Sequence, residues 1–199
     1  RVVRKYLKDP RIRYVRLRKN RGVSYALNYA LSKVRTKYFA QLDADDWYQR
    51  NTLKVMVRKM NHTSKKVAMC YGNEKKWRLT KKGKIKFVKK RKKRQIKDKY
   101  DLITYRPMVY PRFYRTKALR RVGGWSTNVP YHGRYAEDRQ ILLKLAGKYR
   151  FKWINKALYN RLEHGSNNSR RANARKYAKV TRYLYKKALK RWGKKYKAK

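Results

Sequence analysis

At 199 residues and 41% hydrophobic, the chain is long enough for one well-cored domain, and its single cysteine, Cys70, excludes an internal disulfide. No apolar run reaches membrane-span length and no signal-peptide pattern opens the sequence, so the expectation is a cytoplasmic protein, with any membrane contact peripheral and at the inner face. The 62 Lys and Arg against 10 Asp and Glu give a net charge of +52, enough to attract any polyanion.

The basic residues occur in nearly every segment. A specific DNA reader concentrates its charge on one face, whereas this pattern reads as a saturated surface on an ordinary globular plan. No Cys/His finger, aromatic RNA-binding signature or P-loop accompanies it. The chain opens with Arg1 rather than Met, so an upstream segment is expected.

In chain order, "IRYVRL" (12–17) alternates apolar and basic side chains and predicts a strand. After Gly22, the helical spacing of Val23, Ala26, Leu27, Ala30, Leu31 and Val34 predicts an amphipathic helix over 23–35. "YFAQL" is a short apolar strand ending at Asp43, and "QRNTLKVMVRKM" resumes helical spacing. "VAMCYGN" (67–73) reads as a buried strand. The densest basic stretch, 81–99, contains Gly83 and the alternating "KIKFV", which predict a hairpin or extended excursion. "MVYPRFYR" reads as a strand, and "TKALRRVGGW" as a short helix stopped by Gly123 and Gly124. "EDRQILLKLAGKY" is a helix, "RFKWI" a strand, and "NARKYAKVTRYLYKKALKRW" a terminal helix with Tyr177, Val180, Leu184, Ala188 and Trp192 on one stripe. The alternation of strands and helices predicts an open α/β sheet flanked by helices. Residues 1–165 are expected to form the main domain, with 166–199 a basic amphipathic helix packed on it or extending from it.

Two acidic groups interrupt this basic background. In an extended strand Asp43 and Asp45 project to the same side, at a carboxyl strand end where open α/β sheets bind ligands. Two carboxylates there need a cation or a shared proton. Mg²⁺ or Mn²⁺, completed by substrate phosphates, suits oxygen donors of this kind, while ion pairing with surrounding Lys and Arg is the alternative. Glu137 and Asp138 open a helix, where acids gain about 0.3–1 kcal/mol each from the macrodipole; the functional reading makes one of them a general base.

The ordered set "NRGVSYALNYAL", "YFAQLDADDWYQRNTL", "VGGW", "EDRQILLKLA" and "RLEHGSNNS" resembles family 2 glycosyltransferases of the GT-A fold, a Rossmann-like open mixed sheet, over about residues 9–169. The resemblance implies that Asp43-Ala44-Asp45 is a DXD element, with Asp45 the more direct ligand of Mn²⁺ or Mg²⁺ and both acids beside a nucleotide-sugar diphosphate. It implies Asp138 as the base of an inverting transfer with Glu137 in support, and His164 near the metal or diphosphate. It also places Asn20 and Gly22 beside the nucleotide and Trp125 on the acceptor side, the core being the other place for that tryptophan. The implied donor is a nucleotide-diphospho-sugar, UDP-linked, and the implied acceptor a hydroxyl on a glycan, lipid-linked or other molecule, anionic ones included. Family members open with strands ending near Pro-x-Tyr-Asn and Asp-Asp-Gly-Ser elements. Neither element occurs here, so the expected domain is N-terminally truncated and short of a uracil and ribose pocket. The competing expectation is an inactive or engineered basic scaffold of this fold that binds nucleic acid or anionic membrane non-specifically.

Overall fold

The computed structural model describes residues 2–165 and 173–193. Residues 166–169 of "RLEHGSNNS", and both ends of the predicted 166–199 segment, lie outside the described residues. Six strands form one mixed sheet: β1 (Tyr38–Gln41), β2 (Trp47–Tyr48), β3 (Val67–Leu79), β4 (Ile85–Arg91), β5 (Tyr110–Arg115) and β6 (Arg150–Glu163). The order is β1-β5-β3-β6-β2, with β4 pairing the second half of β3. Only β3 and β6 run parallel; the other pairings are antiparallel.

Alternation along the strands builds two cores. On one face Phe39, Met69, Tyr71, Tyr114 and Phe151 meet α4 (Thr116–Arg121), α5 (Glu137–Ala146) and α6 (Ala174–Trp192) through Leu119, Ile141, Leu142, Val180 and Leu184. On the other, Cys70, Phe113 and Leu158 are covered by Met56 and Met60 of α2 (Thr52–Asn61). Each fully buried Met contributes about 1.5–3 kcal/mol by leaving water. The apolar stripe of α6 lies in the first core, with Val180, Leu184 and Ala188 buried and Tyr177 and Trp192 packed at its margin. Among the described residues no helix is long and apolar enough to cross a membrane.

The 81–99 stretch forms the β3–β4 hairpin, whose turn closes through Gly83 N donating to Thr80 O at 3.0 Å. It then leads into α3 (Lys99–Thr104), a helix that periodicity misses because it is a single short turn set by its cap. Asp98 supplies that cap, its side chain accepting from Tyr100 N and Asp101 N. α1 (Val23–Lys33) begins after Gly22, whose φ of 87° is open to glycine.

Three local expectations are corrected. Residues 12–17 form no strand; Ile12, Tyr14 and Val15 are 37%, 50% and 50% exposed, so the alternation has no buried face to serve. The strands begun by "VAMCYGN" and "RFKWI" run on to Leu79 and Glu163, because each pairs with the other well past the apolar stretch. Asp43 to Asp46 is a turn rather than strand, with Asp46 N donating to Asp43 O at 3.1 Å. The two-residue alternation offered for Asp43 and Asp45 therefore does not apply.

Candidate active site

The turn after β1 sends its three carboxylates in different directions. Asp43 meets Nη2 of Arg112 on β5 at 3.3 Å. Asp45 Oδ2 lies 2.7 Å from His164 Nε2, just beyond β6. Asp46 accepts from Tyr159 Oη at 2.7 Å and Leu162 N at 2.8 Å, which locks the turn to β6; burial raises its pKa against those hydrogen bonds.

Arg112 joins this turn to the second acidic group. Its side chain is 1% exposed; Nη1 pairs with Asp138, and the guanidinium lies 4.9 Å from the Tyr110 ring centroid. Asp138 and Glu137 open α5, which Ala136 enters in left-handed conformation at φ 55°. Burial pushes Glu137 up to about 8, helped by the neighbouring Asp138 charge. Burial also raises Asp138, but Arg112 opposes that rise. Adjacent carboxylates do not both ionise cheaply, and Arg112, paired with Asp138, favours the charged form of Asp138 more than that of Glu137. Asp138 Oδ1 is buried without a hydrogen-bond partner among the described residues. A cleft of about 290 Å³ opens beside the acid pair, walled by Arg106, Met108 and, from α6, Tyr177 and Tyr185.

The other expected site residues fall elsewhere. Asn20 Oδ1 accepts from Gly22 N at 3.0 Å and from Arg134 at 3.0 Å, so Asn20 and Gly22 brace the loop that leads into α5. Trp125 requires correction: it is 1% exposed, packed against Phe39 and Tyr114 with ring centroids 5.9 and 6.2 Å apart, and offers no surface to an acceptor. It is held there by Asn28, which accepts from Trp125 N at 2.9 Å and donates to Trp125 O at 2.6 Å. Arg112 escapes sequence reasoning because nothing distinguishes it from the other basic residues. Asp46 was in plain view in "DADD", but its anchoring role depends on partners in β6.

The donors suit a hard divalent ion. The Asp43 and Asp45 side chains are 43% and 37% exposed, and Asp45 adjoins an imidazole. Among the described residues no three His, Cys, Asp or Glu converge into a complete cage. One or two carboxylates completed by water and substrate phosphate is how Mg²⁺ is commonly held, and imidazole also suits transition metals.

An open mixed α/β sheet, with one acidic turn after an edge strand and an acid pair at the head of a facing helix, defines a GT-A glycosyltransferase domain. The chain belongs to glycosyl transferase family 2, whose description residues 1–123 match. That match ends before α5 and the acid pair. Chondroitin synthase of Escherichia coli is 26% identical over 164 residues, covering 82% of this chain and 22% of that protein. The chain thus spans about a fifth of that curated relative's length. Among solved structures, S. aureus TarS is similar with a TM-score of 0.59 and 20% identity, over 81% of this chain and 28% of TarS. The mannosyltransferase PcManGT from Pyrobaculum calidifontis, solved in complex with GDP-Man and Mn²⁺, is similar with a TM-score of 0.61 and 20% identity. It is matched over 95% of this chain and 50% of its own. At these identities the structural likeness concerns the fold.

Proposed function

We infer that this domain transfers a sugar from a nucleotide-diphosphate donor, UDP-linked, to an acceptor hydroxyl with inversion. The observation that carries the reading is the span of Arg112: one buried guanidinium touches both Asp43 of the DXD turn and Asp138 of the acid pair. Donor-side and acceptor-side carboxylates are therefore held on one guanidinium.

Asp45 and His164 would hold the divalent ion, with Asp43 beside the diphosphate. When bound there, the ion supplies positive charge to the departing diphosphate. Asp138, whose charged form Arg112 favours, accepts the acceptor's proton as its oxygen attacks the anomeric carbon from the face opposite the leaving group. Glu137, whose pKa burial pushes up to about 8, adds no second full charge beside it at neutral pH. Tyr177 and Tyr185 wall the approach for the acceptor.

The test is calorimetry of UDP and GDP with and without Mn²⁺, in about 0.3 M salt to screen non-specific attraction. UDP binding that requires Mn²⁺ and is lost in Asp45→Asn is the expected outcome. Binding indifferent to both the metal and the substitution would remove the site assignment, and preference for GDP would replace the donor base.

A further inference from the structure

A second cleft, of about 480 Å³, lies at the other end of the sheet, where β3 and β6 begin. Lys66 enters it ahead of β3, Lys97 from the segment before α3, Lys148 from the turn between α5 and β6, and Arg150 from the start of β6. Among the described residues the side chains of these four form no ion pair and no hydrogen bond. The fifth cation, Lys99, is already engaged over the rings of Tyr100 and Trp192. One acid lines the cleft, Asp98, and its Oδ1 is occupied by the backbone N–H groups of Tyr100 and Asp101 at 2.8 Å each. Half-buried Tyr100 and Tyr149 form apolar walls, and buried Ile96 and Phe151 are part of the lining.

Four cations without an ion pair, against the one lining carboxylate of Asp98 and with Asp101 close to Lys97, leave the concavity net positive, and its low-dielectric walls focus that field into the space between. This separates the cleft from the basic β3–β4 hairpin, whose second strand is exposed along nearly all its length. We propose that the cleft binds a carboxylate- or phosphate-bearing saccharide unit of an acidic acceptor glycan, remote from the site of transfer. The volume suits a compact ligand rather than a nucleic-acid strand, which is held by a long basic groove. An acidic sugar offers both the anion for the lysines and a C–H face for the tyrosines.

The strand register gives the separation. Cys70 pairs with Phe113, which sets Arg112 level with Tyr71, five residues along β3 from Lys66. At about 3.3 Å per residue the cleft lies roughly 15–20 Å from the Arg112 level. A single sugar does not span that distance, so the cleft selects oligomeric acceptors. That consequence rests on the transferase reading above; the anion site itself does not.

The test compares two variants of equal charge loss. One carries Lys66→Gln, Lys97→Gln, Lys148→Gln and Arg150→Gln; the other carries Lys81→Gln, Lys82→Gln, Lys84→Gln and Lys86→Gln on the exposed hairpin. Hexagalacturonate is the probe, with neutral maltohexaose and an oligothymidylate of equal charge as comparators, in about 0.3 M salt. The cleft variant is expected to bind hexagalacturonate about tenfold more weakly and the hairpin variant to lose less than about twofold, both with the parental thermal midpoint. Lys148→Glu alone, on an exposed turn, provides a second variant with a severalfold loss expected. Equal losses in the two variants, absence of binding by the parent, or tighter cleft-dependent binding of oligothymidylate would each overturn the proposal. Mn²⁺-dependent UDP binding should survive in the cleft variant. If the parent fails to bind UDP but keeps cleft-dependent hexagalacturonate binding, the donor reading falls and the saccharide site stands.

Discussion

Replacing Arg112 with Met removes the positive charge while nearly conserving side-chain volume, so the effect reports electrostatics more than packing. Asp43 is 43% exposed and water recovers it, but Asp138 is 14% exposed and is left as an uncompensated buried carboxylate. Breaking a buried pair in this way costs about 3–5 kcal/mol. For a chain of this size each kcal/mol moves Tm by about 2–4 °C, so a fall of roughly 6–20 °C is expected. The pH dependence identifies the mechanism. Arg112 opposes the burial-driven rise of the Asp138 pKa, so its removal lets the folded chain hold that proton to higher pH. Once the proton is held, the uncompensated charge is gone. The cost of the substitution should therefore be larger at an alkaline than at an acidic measuring pH. Urea unfolding of parent and variant, followed by tryptophan fluorescence at both pH values, measures this directly. Arg112→Lys, which keeps the charge but spans one carboxylate, should fall between them. A cost below about 1 kcal/mol, or one equal at both pH values, would refute the claim that Arg112 favours the charged form of a buried Asp138.

Glu137 makes the parent itself pH-sensitive. Between its ordinary 4.5 and about 8 the folded chain holds a proton that the unfolded chain has released, so stability falls as pH climbs through that interval. Glu137→Gln should flatten the fall in a denaturant series, and an unchanged slope would show that the carboxyl is not held in its neutral form. Gly124→Ala should cost about 1–3 kcal/mol, because the added Cβ must adopt φ 54° and overlap Asn28 Oδ1; a parental urea midpoint would deny that junction its tightness.

Periodicity was informative wherever an element buries one face, and misleading where the face is supplied by a distant partner. The spacing of Leu31 and its neighbours, the Gly123-Gly124 stop and the terminal stripe through Val180, Leu184 and Ala188 all carry their structure locally. The alternation in 12–17 looks equally strong, yet nothing among the described residues covers it. The hydrophilic second halves of β3 and β6 look like loop until each is given the other to pair with. For the site, the scarcity of acids marked both carboxylate groups. It did not mark the arginine that joins them, because one more basic residue carries no information in this chain.

That scarcity reaches beyond the site. Five of the ten acids are Asp43, Asp45, Asp46, Glu137 and Asp138. Each of the remaining five has a structural duty. Asp98 caps α3, and Asp101 takes Arg94 through two bonds of 2.6 Å. Glu163 pairs with Lys76 at 2.8 Å where β3 meets β6. Glu74, 1% exposed, compensates Lys93, whose pKa burial lowers and Glu74 supports. Asp9 chelates Arg11 in the N-terminal turn. A surface under this much self-repulsion would be relieved by an acid almost anywhere. The acids are instead confined to turns, caps, buried pairs and the candidate site, so the excess of cations is a property of the surface and the acids mark where the fold is most constrained.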